Sequence, residues 1–296
     1  MQATLIYNSN AGDDEPSSDD LLAGLRGAGY RVHKPTEEDL DRVLKDPSGL
    51  VVAAGGDGTV GAVATRLSGR GVPMAVLPLG TANNIGKTLG LEGPLEHLMA
   101  GLAAPRRRPF DIGLARGPWG ETPFVEAVGA GLFAHTLASR ASEEDKEPQK
   151  ALQLLKETLS NYQAQDCEVT LDGEDLSGRY LLVEAMNIRS LGPNLELAPE
   201  ADPGDGLLEV VLVSEGEREA LAGYLKRRLA GEESPSGLAV RRGRHLQFRW
   251  RGPVHIDDDA WPEGDDETAK DGVVAVDISL QAQALELWLP GERAGS

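Results

Sequence analysis

The chain has 296 residues, 40% of them apolar and 4% aromatic, with 48 acidic against 29 basic side chains and a formal net charge of -19. That length and apolar content suffice for two cores of ordinary domain size, while the acidic excess argues against nucleic acid as a partner and gives no general attraction to anionic lipid surfaces. No run approaches the roughly 18 apolar residues of a membrane span, and the first residues read as a strand rather than a signal peptide; a cytoplasmic protein is expected, with any membrane contact local and peripheral.

An opening strand over 3–7 ends in Asn8-Ser9-Asn10-Ala11-Gly12, and a helix is predicted over 21–26. A buried strand over 50–54 runs into Gly55-Gly56-Asp57-Gly58-Thr59, followed by a helix over 62–67. A further strand over 72–77 leads to Pro78-Leu79-Gly80-Thr81-Ala82-Asn83-Asn84, a short helical stretch through Leu89, and a helix over 95–102. This alternation predicts a mostly parallel sheet flanked by helices, an α/β nucleotide-binding domain over 1–110. Its strand ends carry small and polar residues where open α/β sheets bind ligands.

The turn after the second strand is the most informative of these. Glycines at a strand end let backbone N–H groups close on an anion with no Cβ in the way. A carboxylate beside a phosphate repels it unless a divalent cation intervenes or the phosphoryl group is moving, so Asp57 suggests a nucleotide with a metal. Two familiar motifs nearly fit. Gly56-x-Gly58-x-x-Gly61 matches the dinucleotide fingerprint but lacks the acidic residue expected about 20 positions on, and Gly80 to Thr88 has one residue too many between its glycines for a P-loop.

From about Asp111 strands dominate, at 168–171, 180–186, 207–213, 238–240, 245–249 and 273–289. A series without regular intervening helices predicts a mainly antiparallel β-sandwich as a second, substrate-binding domain over 111–290, with room for the C-terminal segment to pack back on the first. Two insertions interrupt it. One is the charged run 142–148, followed by the helical spacing Leu152, Leu155, Leu159. The other spans 217–229, where Leu221, Tyr224, Leu225 and Leu229 share a face and Lys226, Arg227 and Arg228 crowd the end; such a stripe can lie on a membrane but more often packs on a sheet. The clusters Arg106 to Arg108 and Arg241 to Arg244 read as solvated loop or strand edge before any lipid contact. Cys167 stands alone and reads as a buried structural thiol. His33, His97, His135, His245 and His255 show no metal-ligand spacing.

The two glycine-containing segments together resemble the diacylglycerol kinase catalytic family, which includes sphingosine and ceramide kinases and bacterial lipid kinases and is more distantly related to the NAD kinases. Gly-Gly-Asp-Gly-Thr is shared with the NAD kinases, and Pro-x-Gly-Thr-x-Asn points to the lipid kinases. Residues 124–133 resemble the family's small-residue segment opening the second domain, and Pro199 to Leu207 its Pro-x-Ala-x-x-x-Asp-Gly station. The resemblance implies a kinase that transfers phosphate from ATP, with Mg²⁺, to a lipid hydroxyl such as that of diacylglycerol or a sphingoid base, held in a cleft between the domains. It also implies the roles of individual residues. The nucleotide would sit on Asn8, Ser9, Asn10, Ala11, Gly12, Thr36, Gly55, Gly56, Asp57, Gly58, Thr59, Gly80, Thr81, Asn83 and Asn84. A structural magnesium would be held by the Asp205 carboxylate and by backbone carbonyls near Asp202 and Leu207. Asp257, in the place of the family's Asp-Gly-Glu aspartate, would be the catalytic base, and Asp57 would act through magnesium or its water shell.

The chain departs from the family pattern at several points. Asn84 stands where many members carry an aspartate, and an amide accepts from water but brings no charge. Gly61 and Ala62 replace an Asn-Glu pair. Asp258 and Asp259 replace Gly and Glu, and three adjacent acids repel one another, which leaves open which is the base. Two alternatives to a lipid kinase therefore stand: an NAD kinase-like small-molecule kinase, and a nucleotide-binding regulatory protein without catalysis.

Overall fold

The computed structural model describes residues 1–8, 16–36, 40–139, 147–262 and 272–291. It divides into two compact units, Met1–Ile112 with Ala282–Ser296, and Gly113–Gln281.

The first unit is a twisted parallel sheet. Strands β1 (Gln2–Tyr7), β2 (Arg31–His33), β3 (Leu50–Gly55) and β4 (Met74–Pro78) alternate with helices α1 (Ser18–Gly27), α2 (Leu40–Lys45) and α3 (Asp57–Leu67), and α4 (Asn84–Thr88) and α5 (Leu95–Gly101) follow. β1 pairs in parallel with both β2 and β3, and β3 with β4. Every residue of β3 is buried, the signature of a parallel strand covered on both faces, which is why it reads as a continuous apolar run. α1 starts on a capping box: Ser17 Oγ accepts the Asp20 N–H at 3.2 Å while the Asp20 carboxylate accepts the Ser17 N–H at 3.1 Å. Its Leu21 and Leu25 are fully buried.

α3 begins five residues earlier than the sequence predicts, at Asp57, with Gly56 as its N-cap. Gly58 weakens the local helical signal, yet Val60, Val63, Ala64 and Leu67 are buried, and that packing carries the helix back to the strand end. The glycine turn is thus the first turn of a helix.

The last strand of the second unit runs on into the first, where Leu287 pairs in parallel with Met74 of β4; the pairings described within the second unit itself are antiparallel. Its strands are β5 (Arg106–Gly117, beginning in the first unit), β6 (Gly120–Phe124), β7 (Ala127–Gly131), β8 (Gln165–Leu171), β9 (Glu174–Asp175), β10 (Gly178–Met186), β11 (Ser190–Leu191), β12 (Leu195–Glu196), β13 (Leu208–Ser214), β14 (Val240–Gly243), β15 (His245–Arg251), β16 (Val254–Ile256), β17 (Asp259–Trp261) and β18 (Val273–Leu289). β10 pairs with β7, β8 and β13, and β15 with β8 and β18. Strict alternation along β15 sends Leu246, Phe248 and Trp250 inward, where they meet Val128, Val183, Val210 and Val276 in the sandwich interior. A second apolar cluster lies under helices α6 (Leu132–Ala138), α7 (Pro148–Asn161) and α8 (Arg218–Leu229).

Leu152, Leu155 and Leu159 of α7 and Leu221, Tyr224 and Leu225 of α8 all belong to that cluster, so the 217–229 stripe packs on the sheet. The charged run over 142–146 lies outside the described residues. No helix among the described residues is long and apolar enough to cross a membrane.

Candidate active site

The two glycine-containing segments of the first unit are built as one piece. Asp57 turns its carboxylate onto the start of α4, where Oδ2 accepts the Asn84 N–H and Oδ1 the Ile85 N–H, each at 2.9 Å. Asn83 takes a left-handed conformation, φ 51°, and its Oδ1 accepts the Gly80 N–H at 2.8 Å while its amide donates back to the Gly80 carbonyl. A Cβ on Gly80 would lie 2.5 Å from Gly56 Cα, so the loops approach backbone to backbone. Gly80 is glycine because the neighbouring loop leaves no room, and a Cβ on Gly56 would be tight at 3.3 Å from Gly80 Cα.

Beside this brace is a cleft of about 700 Å³. Asn8, Thr36, Gly56, Gly58 and Thr59 line it, together with Tyr7 and Arg66. Asn8 Nδ2 donates to Thr59 Oγ1 at 3.3 Å, tying the end of β1 to the first turn of α3. A Cβ on Gly58 would meet nothing within 4 Å. Packing therefore does not require glycine there. The first-turn N–H groups of α3 have no intrahelical acceptor, and the cleft exposes them to an anion.

The structure divides the nucleotide residues expected from the sequence into two groups. Asn8, Thr36, Gly56, Gly58 and Thr59 line the cleft; Gly55, Asp57, Gly80, Thr81, Asn83 and Asn84 are not among its lining residues. Ser9, Asn10, Ala11 and Gly12 lie outside the described residues. The Asp57 charge, assigned from the sequence to magnesium or its water shell, meets the two N–H groups of α4, and Asn84 is buried beneath them with 2% exposure. Arg66 escaped the sequence reading because α3 was begun too late. A helix from Asp57 places 58, 62 and 66 on one stripe, and all three line the cleft.

In the second unit Asp257 occupies the turn between β16 and β17 at φ 50°. Its carboxylate accepts the N–H groups of Val125 at 3.1 Å, Glu126 at 2.8 Å and Ala127 at 3.2 Å, and its own N–H donates to the Ala127 carbonyl at 2.8 Å. Burial pushes the carboxyl up to about 6 against the opposing pull of these donors, and Asp258 adds to the rise. Asp258 and Asp259 are exposed. The three acids are thus unequal, and Asp257 alone is half-buried and bound by backbone N–H groups. Asp258 does not share its neighbour's left-handed conformation, which accounts for the tolerance of a non-glycine residue there.

Behind Asp257 stands a pair that the sequence reading missed. His255 and Glu184 are fully buried, with His255 Nε2 2.6 Å from Glu184 Oε2 and His255 Nδ1 2.9 Å from the Asp257 carbonyl oxygen. Burial pulls the imidazole down, but Glu184 and Asp257 outweigh it and hold His255 above its ordinary value; burial holds Glu184 up as well. Asn187, also buried, donates to the Val125 carbonyl at 3.0 Å through Nδ2, and its N–H donates to the Glu126 carbonyl at 2.8 Å. The segment 125–127 is held from both sides. His255 looked uninformative because its partner is 71 positions away.

The expected magnesium station reads differently. Asp205 Oδ1 accepts the Leu207 N–H and Asp202 Oδ1 the Gly204 N–H, each at 2.9 Å. Asp205 Oδ2 is ion-paired with the Arg242 guanidinium. Both Asp205 oxygens are engaged, and among the described residues no group of three or more His, Cys, Asp or Glu side chains is placed to hold a metal ion. The side chains as they stand do not fit a divalent cation. Of the other arginines in the two basic clusters, Arg106, Arg107, Arg108 and Arg241 lie on strands and Arg244 between β14 and β15; Arg107 stacks over Trp288 at 5.4 Å, and Arg241 pairs with Glu174 at 3.4 Å.

A parallel α/β unit followed by an antiparallel sandwich is the architecture of the diacylglycerol kinase type. The diacylglycerol kinase catalytic domain matches residues 2–115, and the YegS C-terminal NAD kinase beta sandwich-like domain matches residues 127–288. The chain belongs to the diacylglycerol kinase catalytic family, in its YegS-like branch. It is 29% identical over 220 residues to a probable lipid kinase YegS-like of Klebsiella pneumoniae, covering 70% of this chain and 73% of that one. It is 26% identical over 232 residues to the diacylglycerol kinase of Bacillus subtilis, covering 72% and 73%. A crystal structure of a diacylglycerol kinase from Bacillus anthracis superposes with a TM-score of 0.70 at 19% identity over 99% of this chain and 98% of that one, a likeness of fold.

Proposed function

We propose that this chain transfers the γ-phosphoryl group of ATP to the hydroxyl of a lipid, of the class of diacylglycerol or a sphingoid base. The observation that carries the nucleotide half is Gly58: a residue at the mouth of a helix whose missing side chain serves no packing, in a cleft otherwise lined by Asn8, Thr36, Thr59 and Arg66. A triphosphate placed against the first turn of α3 meets the N–H groups of Gly58 and Thr59, which the helix itself does not use, and Arg66 supplies a cation in a chain that is otherwise strongly acidic.

Phosphoryl transfer asks little covalent chemistry of the protein; it asks for positioning and charge stabilisation. Asn8, Thr36, Gly56, Gly58 and Thr59 hold the donor, while Asp57 and Asn83 keep the phosphate turn and the following loop in register. Asp257 accepts the proton of the acceptor hydroxyl as its oxygen bonds to the γ-phosphorus and the bond to the β-phosphate oxygen breaks, releasing ADP. A carboxyl near 6 is mostly ionised at neutral pH and still basic enough to take that proton. Magnesium, held through the nucleotide's own phosphates, would supply neutralisation of their charge.

The names of the relatives support the lipid as acceptor class. The test is incubation with ATP, Mg²⁺ and a total lipid extract, with products identified by mass spectrometry. A new phosphomonoester lipid is expected. Nucleotide binding with no phosphorylated product would favour the regulatory alternative, and phosphorylation of a soluble dinucleotide would favour the NAD kinase-like one.

A further inference from the structure

Two carboxylates, Asp205 and Glu209, share one arginine where the second unit's Pro-x-Ala-x-x-x-Asp-Gly segment enters β13. Glu209 is 1% exposed, and its Oε2 has no hydrogen-bond partner among the described residues. Directly across the β13–β14 ladder, in register with Glu209, stands Arg242. Its guanidinium bridges Asp205 Oδ2 and Glu209 Oε1, the latter at 3.1 Å from Nε. The remaining Asp205 oxygen is taken by the Leu207 N–H, and Asp202 Oδ1 by the Gly204 N–H.

We infer that Arg242 is the resident cation of this cluster, so that the turn leading into β13 is held without a bound divalent ion. A planar guanidinium presents donors in a fixed fork and spans two carboxylates that a single ammonium could not bridge with the same geometry. It stays protonated at every relevant pH, so the neutralisation is permanent and independent of metal supply. Magnesium, by contrast, demands near-octahedral oxygen coordination and gives up its waters reluctantly. A divalent ion could enter only by expelling Arg242 from a pairing that also covers a buried glutamate. Removing the arginine would leave Asp205 and Glu209 without their shared counter-charge.

The inference concerns fold support and is independent of whether the chain phosphorylates lipids. It is tested on the nucleotide-free full chain by thermal melting in EDTA and in excess MgCl₂. Wild type and Asp205→Asn are expected to show the same response to Mg²⁺. Arg242→Met is expected to melt several degrees lower than wild type in EDTA and to recover part of that loss in Mg²⁺, because the unpaired carboxylates then offer the ion a site. Two results would overturn the inference: a Mg²⁺ stabilisation of wild type that Asp205→Asn abolishes, or an Arg242→Met variant that melts like wild type in EDTA. Should Arg242→Met fail to fold, the comparison of wild type with Asp205→Asn decides alone.

Discussion

Two glycines of the same motif region are glycines for different reasons, and substitution separates them. Gly58 faces open space, so Gly58→Val should leave the melting temperature within a degree or two of wild type yet remove ATP binding, measured by calorimetry. Gly80 abuts the Gly56 backbone, so Gly80→Ala should cost about 1–3 kcal/mol of stability in denaturant unfolding, because neither backbone can yield as a side chain would. Unchanged nucleotide affinity in a folded Gly58→Val would remove the phosphate from this turn. The half-buried Asp257 gives a second residue-scale expectation. Asp257→Asn should lower the phosphorylation rate by about 10²-fold or more, while Asp258→Asn and Asp259→Asn, on solvated carboxylates, should change it little. The sign of the pH dependence follows from the same group. The base works only when ionised, so the wild-type rate should fall as pH drops through about 6 and stay level just above it, and Asp257→Asn should lack that acid limb.

At the scale of elements, what was legible in the sequence depended on whether the partner was local. β3 reads as a strand because both of its faces are buried and the run is unbroken. α8 reads as a helix from its own stripe, and its burial against the sandwich follows from the same residues. α3 was read short because Gly58 and Gly61 dilute the propensity at its start, and that truncation hid the 58, 62, 66 stripe and with it Arg66. β5 escaped because its first residues, Arg106 to Arg108, look like a solvated cluster until β18 is placed beside them. The pairing of His255 with Glu184 and that of Arg242 with Asp205 are set by strand register between distant segments, and no local pattern announces them. The buried pair carries a prediction of its own. His255→Ala leaves Glu184 fully buried without its counter-charge and frees the Asp257 carbonyl, so it should cost about 3–5 kcal/mol in denaturant unfolding. A near-neutral effect would mean that the pair does not hold the β16–β17 turn.

For the molecule as a whole, the proposed reaction assigns the nucleotide to the parallel α/β unit and the base, Asp257, to the antiparallel sandwich. The acidic surface, at a net charge of -19, sets this chain apart from proteins that reach lipid through a general basic face, and the arginines described on β5, β14 and α8 are engaged in intramolecular pairs. The proposed reaction, phosphoryl transfer from ATP to a lipid hydroxyl, draws on residues of both units. The most direct measurement follows γ-labelled ATP into the organic-extractable fraction with wild type, Gly58→Val and Asp257→Asn side by side. The account predicts label in a lipid phosphomonoester with wild type, none with Gly58→Val for want of bound nucleotide, and a strongly slowed appearance with Asp257→Asn at undiminished ATP affinity. Label entering lipid at equal rates in all three would contradict it.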